Sequence, residues 1–374
     1  MVHWWKVDLG DDEIDAVTHS LRNRHVNQGP VCAELERKLA EQLGVPHVVL
    51  TTSGSAAILL SLMAAGVKPG DEVIVPALTF IATAHAVLML GAKLKLVDVE
   101  FDRPVLDVEQ VERALSSHTT AVVPVHLNGR SCDMTGLSKL AENRGLRVIE
   151  DSAQAFCSRN RQGCLGTQSD ASAFSMSIAK LITTGEGGFI ATSNRATDEQ
   201  LRRLRNQGVS SIADNVFDSF GFNFRFNDIQ AAIGLAQLQK LPEKISAIRR
   251  LYQFYDEQLA GIHFLKIMPS NVEVGELPLC TDVLCADRDR VIGLLSKRGI
   301  QARPSHPCLA DSPHLAQPGA WPRARFFAAH GLTLPSGPDQ TAESIDRVVK
   351  ALHEIASDIS THIDSIDPDA KTDC

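Results

Sequence analysis

Between about residues 31 and 195, stretches of helical periodicity alternate with short apolar runs, and that rhythm fits helices packed on a mostly parallel sheet. The runs His47 to Thr51, Glu72 to Val75, Lys93 to Val97, Ala121 to Val125, Arg147 to Glu150, Ala171 to Ser175 and Gly188 to Thr192 read as strands. Helical patterns lie between them, such as Ala56, Leu59, Leu60 and Met63, or Leu137, Leu140 and Ala141 with Asp133 as a candidate N-cap. The expected fold class is α/β.

Around this core the chain divides by pattern. Ile14, Val17 and Leu21 mark an amphipathic helix that stops near Asn27, Gly29 and Pro30, so residues 1–30 read as an N-terminal arm. Residues 31–242 form the expected large domain, closed by a helix capped by Asn227 or Asp228. A second helix follows Pro242 into a smaller domain, 243–360, and an acidic, frayed tail is expected over 361–374. Arg303 to Pro322 carries five prolines (304, 307, 313, 318 and 322), too many for a helix or central strand, and is expected to form an ordered loop or lid.

At 374 residues the chain can bury a large core without disulfide staples, and its eight cysteines contain no CxxC pair, so free thiols and a cytoplasmic location are expected. Lys and Arg total 37 against 45 Asp and Glu, a net charge of −8 that offers no general attraction for nucleic acid or an anionic membrane. No run is apolar enough to span a bilayer, and no His, Cys or carboxylate cluster has metal-ligand spacing, so no metal is expected.

Three segments can carry chemistry. DASAFSMSIAKLITTGEGGFI, from Asp170, follows an apolar strand with one lysine, Lys180, and a Gly-rich turn. Such an amine condenses with a carbonyl if burial and neighbouring charge lower its pKa; otherwise it is a solvated surface residue. LRVIEDSAQA sets Asp151 beyond the carboxyl end of a strand, where open parallel sheets bind ligands, although an Asp there can also cap the next helix. HVVLTTSGSAAILLSL runs from a strand through Ser53, Gly54 and Ser55 into a helix, either a phosphate seat or a plain N-cap. It matches neither the Walker pattern nor GxGxxG.

Six motifs in register extend over nearly the whole chain: TSGSAA near residue 52, GDEVIVPALTFIATAHAV from Gly70, AVVPVHLNGRSCDM from Ala121, VIEDSAQA from Val148, AFSMSIAKLITTGEGG from Ala173 and GFNFRFNDIQAA from Gly221. Together they resemble the DegT/StrS-type nucleotide-sugar aminotransferases. The resemblance implies an aspartate-aminotransferase-like fold of type I, with a smaller C-terminal α+β domain, and pyridoxal 5'-phosphate as cofactor. It makes Lys180 the Schiff-base lysine, Asp151 the partner of the ring nitrogen and Gln154 a neighbour of the ring hydroxyl. Phe80 would stack on the ring, although a core aromatic is the alternative. Ser55, the Ala56 amide and Ser175 would bind the phosphate. Asn223 and Arg225 would reach in from a second subunit of a homodimer with shared sites, their plainer reading being a surface loop. The implied substrates are an amino-acid donor, glutamate, and a nucleotide-linked keto-sugar, with a keto-cyclitol as alternative acceptor.

Some positions depart from the family pattern. Leu181 stands where an Asn is common, Phe156 and Cys157 where His and Gly are, and Ala310 where a His often follows the leucine. These changes are expected to border the substrate pocket. His306 and His314, in the Pro-rich loop, are candidate contacts to the sugar or its phosphates, against the plainer reading of solvated histidines. Related sugar dehydratases carry His at the lysine position, so Lys180 argues against that chemistry, and the intact Lys180, Asp151 and Gln154 argue against a non-catalytic cofactor-binding regulator.

Overall fold

The structure is a computed structural model that describes residues 1–209, 217 and 219–359. The acidic end beyond residue 359 therefore lies outside the described residues. Helices α1 (Asp11–Arg22) and α2 (Pro30–Leu43) lead into an alternation of β1 (His47–Thr51), α3 (Gly54–Ala64), β2 (Glu72–Pro76), α4 (Ala82–Met89), β3 (Lys93–Val97), α5 (Val108–Ala114), β4 (Thr119–Val122), α6 (Met134–Arg144) and β5 (Arg147–Asp151). A small hairpin, β6 (Arg159–Asn160) and β7 (Gly163–Cys164), precedes β8 (Ala171–Ser175), β9 (Gly188–Thr192) and α7 (Arg195–Arg205). All seven apolar runs become the seven strands of one sheet, ordered β1-β9-β8-β5-β4-β2-β3. Only β9 runs against the others, pairing antiparallel with β1 and β8. Asp133 and Asn227 cap their helices as expected, accepting hydrogen bonds from the amides of Gly136 and Gln230.

The chain leaves this sheet through α8 (Asp228–Gln239) and α9 (Leu241–Leu259) and builds a second, antiparallel sheet from β10 (Leu265–Ile267), β11 (Asp282–Cys285), β12 (Arg303–Pro304) and β13 (Gly331–Thr333), ordered β10-β11-β13-β12. Helices α10 (Arg288–Lys297), α11 (Pro322–His330) and α12 (Ala342–Ile359) complete this part. A core of its own, including Tyr255, Phe264, Val283, Leu295, Leu332 and Leu352, holds it together.

The structure departs from the sequence-based expectation in three places. In α1 the buried residues are Glu13 and Ser20, while Ile14 and Leu21 are 62% and 51% exposed. Glu13 is drawn inward because its carboxylate accepts from Gln237 Nε2 and Lys240 Nζ, each at 2.9 Å, and from the Gly10 amide at 2.7 Å. The apolar stripe is thereby turned to the surface. In the Pro-rich stretch, Arg303 and Pro304 form an edge strand, where the missing N–H is tolerated, and Pro322 opens α11 at a position that needs no amide. The residues between them are the ordered loop, tied down where Leu309 donates to the Ala77 carbonyl at 2.7 Å.

Thirdly, Phe156, Cys157 and Leu181 are core residues. All three lie in the apolar cluster between the sheet, α2 and α8, where Phe156 meets the stacked pair Phe174 and Phe189 edge-on. Cys157 has φ +64°, a left-handed conformation that explains why a glycine suits this position. Ala310 is likewise buried, in a short 3-10 turn.

The two sheets share an apolar cluster that runs from Val75 and Leu78 to Leu284, Leu309 and Phe327, and a buried polar contact reinforces it. Arg130 is fully buried, donating to the carbonyls of Pro269 and Met268 and, at 3.3 Å, to Asp282 on β11. Asp282 also accepts from Asn128 Nδ2 at 2.6 Å and from Thr333 Oγ1 at 2.6 Å. Removing one partner of a buried ion pair leaves an uncompensated charge, so Asp282→Ala is expected to lower the free energy of unfolding by about 3 kcal/mol in urea denaturation. An unchanged midpoint would show that this pair does not secure the two sheets.

Candidate active site

Two neighbouring parallel strands end at the same edge of the large sheet. Asp151 is the last residue of β5, and it pairs in register with Ala173 of β8. β8 ends two residues later at Ser175, and the chain then turns through Lys180, whose neighbours Leu181 and Ile182 are anchored in the core. Lys180 and Asp151 are close enough to feel each other's charge. Burial outweighs that attraction at both groups: it holds the Lys180 ammonium below the usual lysine range and the Asp151 carboxyl above the usual carboxylate range. Among the described residues Lys180 Nζ has no hydrogen-bond partner. Asp151 has two: Thr83 Oγ1 donates to Oδ2 at 2.7 Å, and the Ala153 amide donates to Oδ1 at 3.1 Å.

The helix that follows β1 points its N-terminus at the same edge. Ser53 caps α3 by accepting from the Ala56 amide at 3.1 Å. The Ala56 amide is thus satisfied within the helix, whereas the Gly54 and Ser55 amides, beside the exposed Ser55 hydroxyl, have no partner among the described residues. Two glycines allow this helix end its position. A Cβ on Gly54 would stand 2.8 Å from Ser175 Cβ, and one on Gly188 would stand 2.5 Å from the Ser53 carbonyl and 2.6 Å from the Gly54 nitrogen. Ser175 and the α3 N-terminus therefore stand side by side, and the free amides of that helix end suit an anion.

Phe80 is 59% exposed, which excludes a core role, and its ring meets that of His306 edge-on with centroids 6.4 Å apart. Gln154, three residues beyond Asp151, accepts the Asn128 amide at Oε1, 2.8 Å away, and reaches His306 Nε2 with its Nε2 at 3.2 Å. The ordered Pro-rich loop therefore brings His306 to the wall of the site. It does not bring His314, whose Nε2 lies 2.9 Å from that of His85 on the exposed face of α4. Asn223 and Arg225 bond to each other, Arg225 Nε donating to Asn223 Oδ1 at 3.0 Å, and to none of the residues around Lys180.

Several residues that shape the site carry no role in the sequence reading, although the quoted motifs contain them. Thr83 fixes Asp151. Asn128, left-handed at φ +52°, joins Gln154 to Cys280 and Asp282 through its backbone and side chain together. His126 and Glu150 form a fully buried pair at 2.8 Å beneath them. Burial alone would raise the Glu150 pKa, but bonds from His126 and from the Gln168 and Gly166 amides outweigh it and hold the group below its usual range. Only Asn128 left a local signal, since Asn before Gly tolerates the left-handed conformation.

An unpartnered, half-buried amine, a buried carboxylate, an exposed aromatic face and a helix N-terminus with free amides fit the aldehyde, ring nitrogen, ring face and phosphate of pyridoxal phosphate. Known proteins point the same way. A GDP-perosamine synthase of Caulobacter vibrioides is 37% identical over 93% of this chain and 96% of its own. Among solved structures, S. venezuelae DesV in complex with a ketimine intermediate is 33% identical, superposing with a TM-score of 0.87 over 92% of this chain and 94% of its own. An aminotransferase, TlmJ, from Streptoalloteichus hindustanus is 26% identical, with a TM-score of 0.92 over 96% of this chain and 100% of its own. The fold is accordingly the type I, aspartate-aminotransferase-like one, with its smaller C-terminal α+β domain. With residues 7–353 matching the family's sequence model, the chain belongs to the DegT/DnrJ/EryC1/StrS aminotransferase family.

Proposed function

We propose that this enzyme moves an amino group from an amino-acid donor, glutamate, to a nucleotide-linked keto-sugar, with Lys180 and Asp151 as its catalytic residues. The observation that carries the reading is the unpartnered, half-buried Lys180 amine set near the buried Asp151, just beyond the ends of adjacent strands. Bound pyridoxal phosphate supplies an electron sink that stabilises negative charge developing on the substrate carbon. Asp151 serves it by holding a proton on the ring nitrogen: a cation placed against this carboxylate is stabilised, and it counters the burial that otherwise favours the neutral acid. Lys180, whose ammonium form is disfavoured by partial burial, would anchor the cofactor and would carry the proton between the two reacting carbons.

The remaining contacts divide by chemistry. Ser55, the amides at the start of α3 and Ser175 hold the phosphate, Phe80 covers the ring face and Gln154 meets the ring hydroxyl. Asn223 and Arg225 serve the site of a second copy in a homodimer. The outward apolar residues Ile14 and Leu21, together with the exposed Phe217, Phe220 and Phe222 beside Asn223, are surface that such a copy would cover. The name of the Caulobacter relative makes a GDP-linked keto-sugar the first acceptor to assay.

Borohydride reduction of the purified protein loaded with pyridoxal phosphate, followed by peptide mapping, is expected to place the label on Lys180. Recovery of the label on another lysine would overturn the assignment. For the shared site, Lys180→Ala and Arg225→Ala chains are co-expressed with different tags, after Arg225→Ala alone has been shown to lose most of its turnover. The isolated mixed dimer is expected to regain activity at the one site that combines Lys180 from one chain with Arg225 from the other. Turnover no higher than that of the parent variants would assign Arg225 to its own subunit's site.

A further inference from the structure

The hydrogen bonds around Gln154 decide the chemical state of His306. A backbone N–H can only donate, so the Gln154 atom facing the Asn128 amide at 2.8 Å must be the carbonyl oxygen. The side-chain NH2 is thereby pointed the other way, toward His306 Nε2 at 3.2 Å. That NH2 can only donate in turn, so His306 Nε2 must accept, which makes the imidazole neutral with its proton on Nδ1. Burial supports the neutral ring, pushing the His306 pKa down to about 4 in spite of the nearby Asp282 carboxylate, with the Lys180 charge acting in the same direction. A neutral imidazole is poorly suited to hold the phosphates of a nucleotide. The same ring stands edge-on against the exposed Phe80. One residue of the loop between β12 and α11 thus supports two walls of the pocket, one from the segment after β5 and one from the segment before α4.

We propose that His306 is a positioning residue: as a neutral Nδ1–H imidazole it orients the Gln154 amide and steadies Phe80, so that the C-terminal loop sets the grip of the site on pyridoxal phosphate. The inference rests on the reading that Gln154 and Phe80 face that cofactor. It predicts that Gln154 presents its second N–H, rather than its carbonyl, to the ring oxygen. His306→Leu removes the acceptor and leaves the NH2 unpaired, whereas His306→Gln returns an acceptor oxygen near the place of Nε2.

Two measurements test it. In the apoprotein, selectively 15N-labelled at histidine and assigned by difference with His306→Gln, the His306 signals are expected to show Nε2 unprotonated and Nδ1 protonated from pH 8 down to about pH 5.5. In fluorescence titrations of apoprotein with pyridoxal phosphate, His306→Leu is expected to bind about tenfold more weakly, and His306→Gln to stay within about threefold of the wild type. GDP, titrated as a nucleotide probe, is expected to bind all three proteins alike. A proton on Nε2 at pH 7 would overturn the proposal, as would a His306→Leu protein that binds pyridoxal phosphate normally and loses GDP. Failure of the wild-type apoprotein to bind pyridoxal phosphate would instead remove the functional reading, leaving the tautomer to be decided by the 15N signals alone.

Discussion

The site depends on two opposite charges, a buried Asp151 and a half-buried Lys180, that the fold sets near each other without a direct hydrogen bond. Lys180 and Asp151 attract each other, yet burial costs each more than that attraction returns, and both are biased toward their neutral forms. A ring carrying a cationic nitrogen would change the balance at Asp151. The carboxylate would then face a positive charge in a region of low dielectric, where the interaction is stronger than in water. At the lysine the same burial acts usefully in the opposite sense, since only a neutral amine attacks a carbonyl. The same desolvation therefore shifts both groups, each toward its neutral form.

The sheet topology makes this arrangement possible. Adjacent parallel strands end at one edge, so β5 and β8 deliver Asp151 and the Lys180 turn side by side. The single reversed strand, β9, starts at that edge rather than ending there, and its first residue, Gly188, lets the α3 N-terminus approach where any side chain would collide with backbone. The C-terminal part adds the last wall, through His306 and the buried Asn128, Arg130 and Asp282 group.

Much of this was legible in the sequence because burial on both faces of a parallel sheet writes itself as short β-branched runs, and all seven were recognisable. Lys180, Asp151 and Ser55 could be located from strand ends and a Ser-Gly-Ser helix start. What escaped was set by partners distant in the chain. The outward turn of α1 comes from Lys240 and Gln237 pulling Glu13 inward, an effect that periodicity in residues 11–22 cannot contain. Phe156 and Cys157 differ from the family pattern where the core, not the pocket, receives them. Asn128 links residues up to 154 positions away, and no local pattern encodes such a hub.

The central claim is that buried Asp151 supports catalysis as a charge rather than as a shape. Its most direct test is the half-reaction with glutamate, followed by stopped-flow absorbance in wild-type and Asp151→Asn proteins loaded with pyridoxal phosphate. Asparagine retains the volume and can still bond to Thr83 and the Ala153 amide, but it cannot stabilise a protonated ring nitrogen. The account predicts a folded variant that keeps its cofactor and transfers the amine at least about a hundredfold more slowly, corresponding to roughly 3 kcal/mol of lost transition-state stabilisation. A near-normal rate in that folded, loaded variant would contradict it.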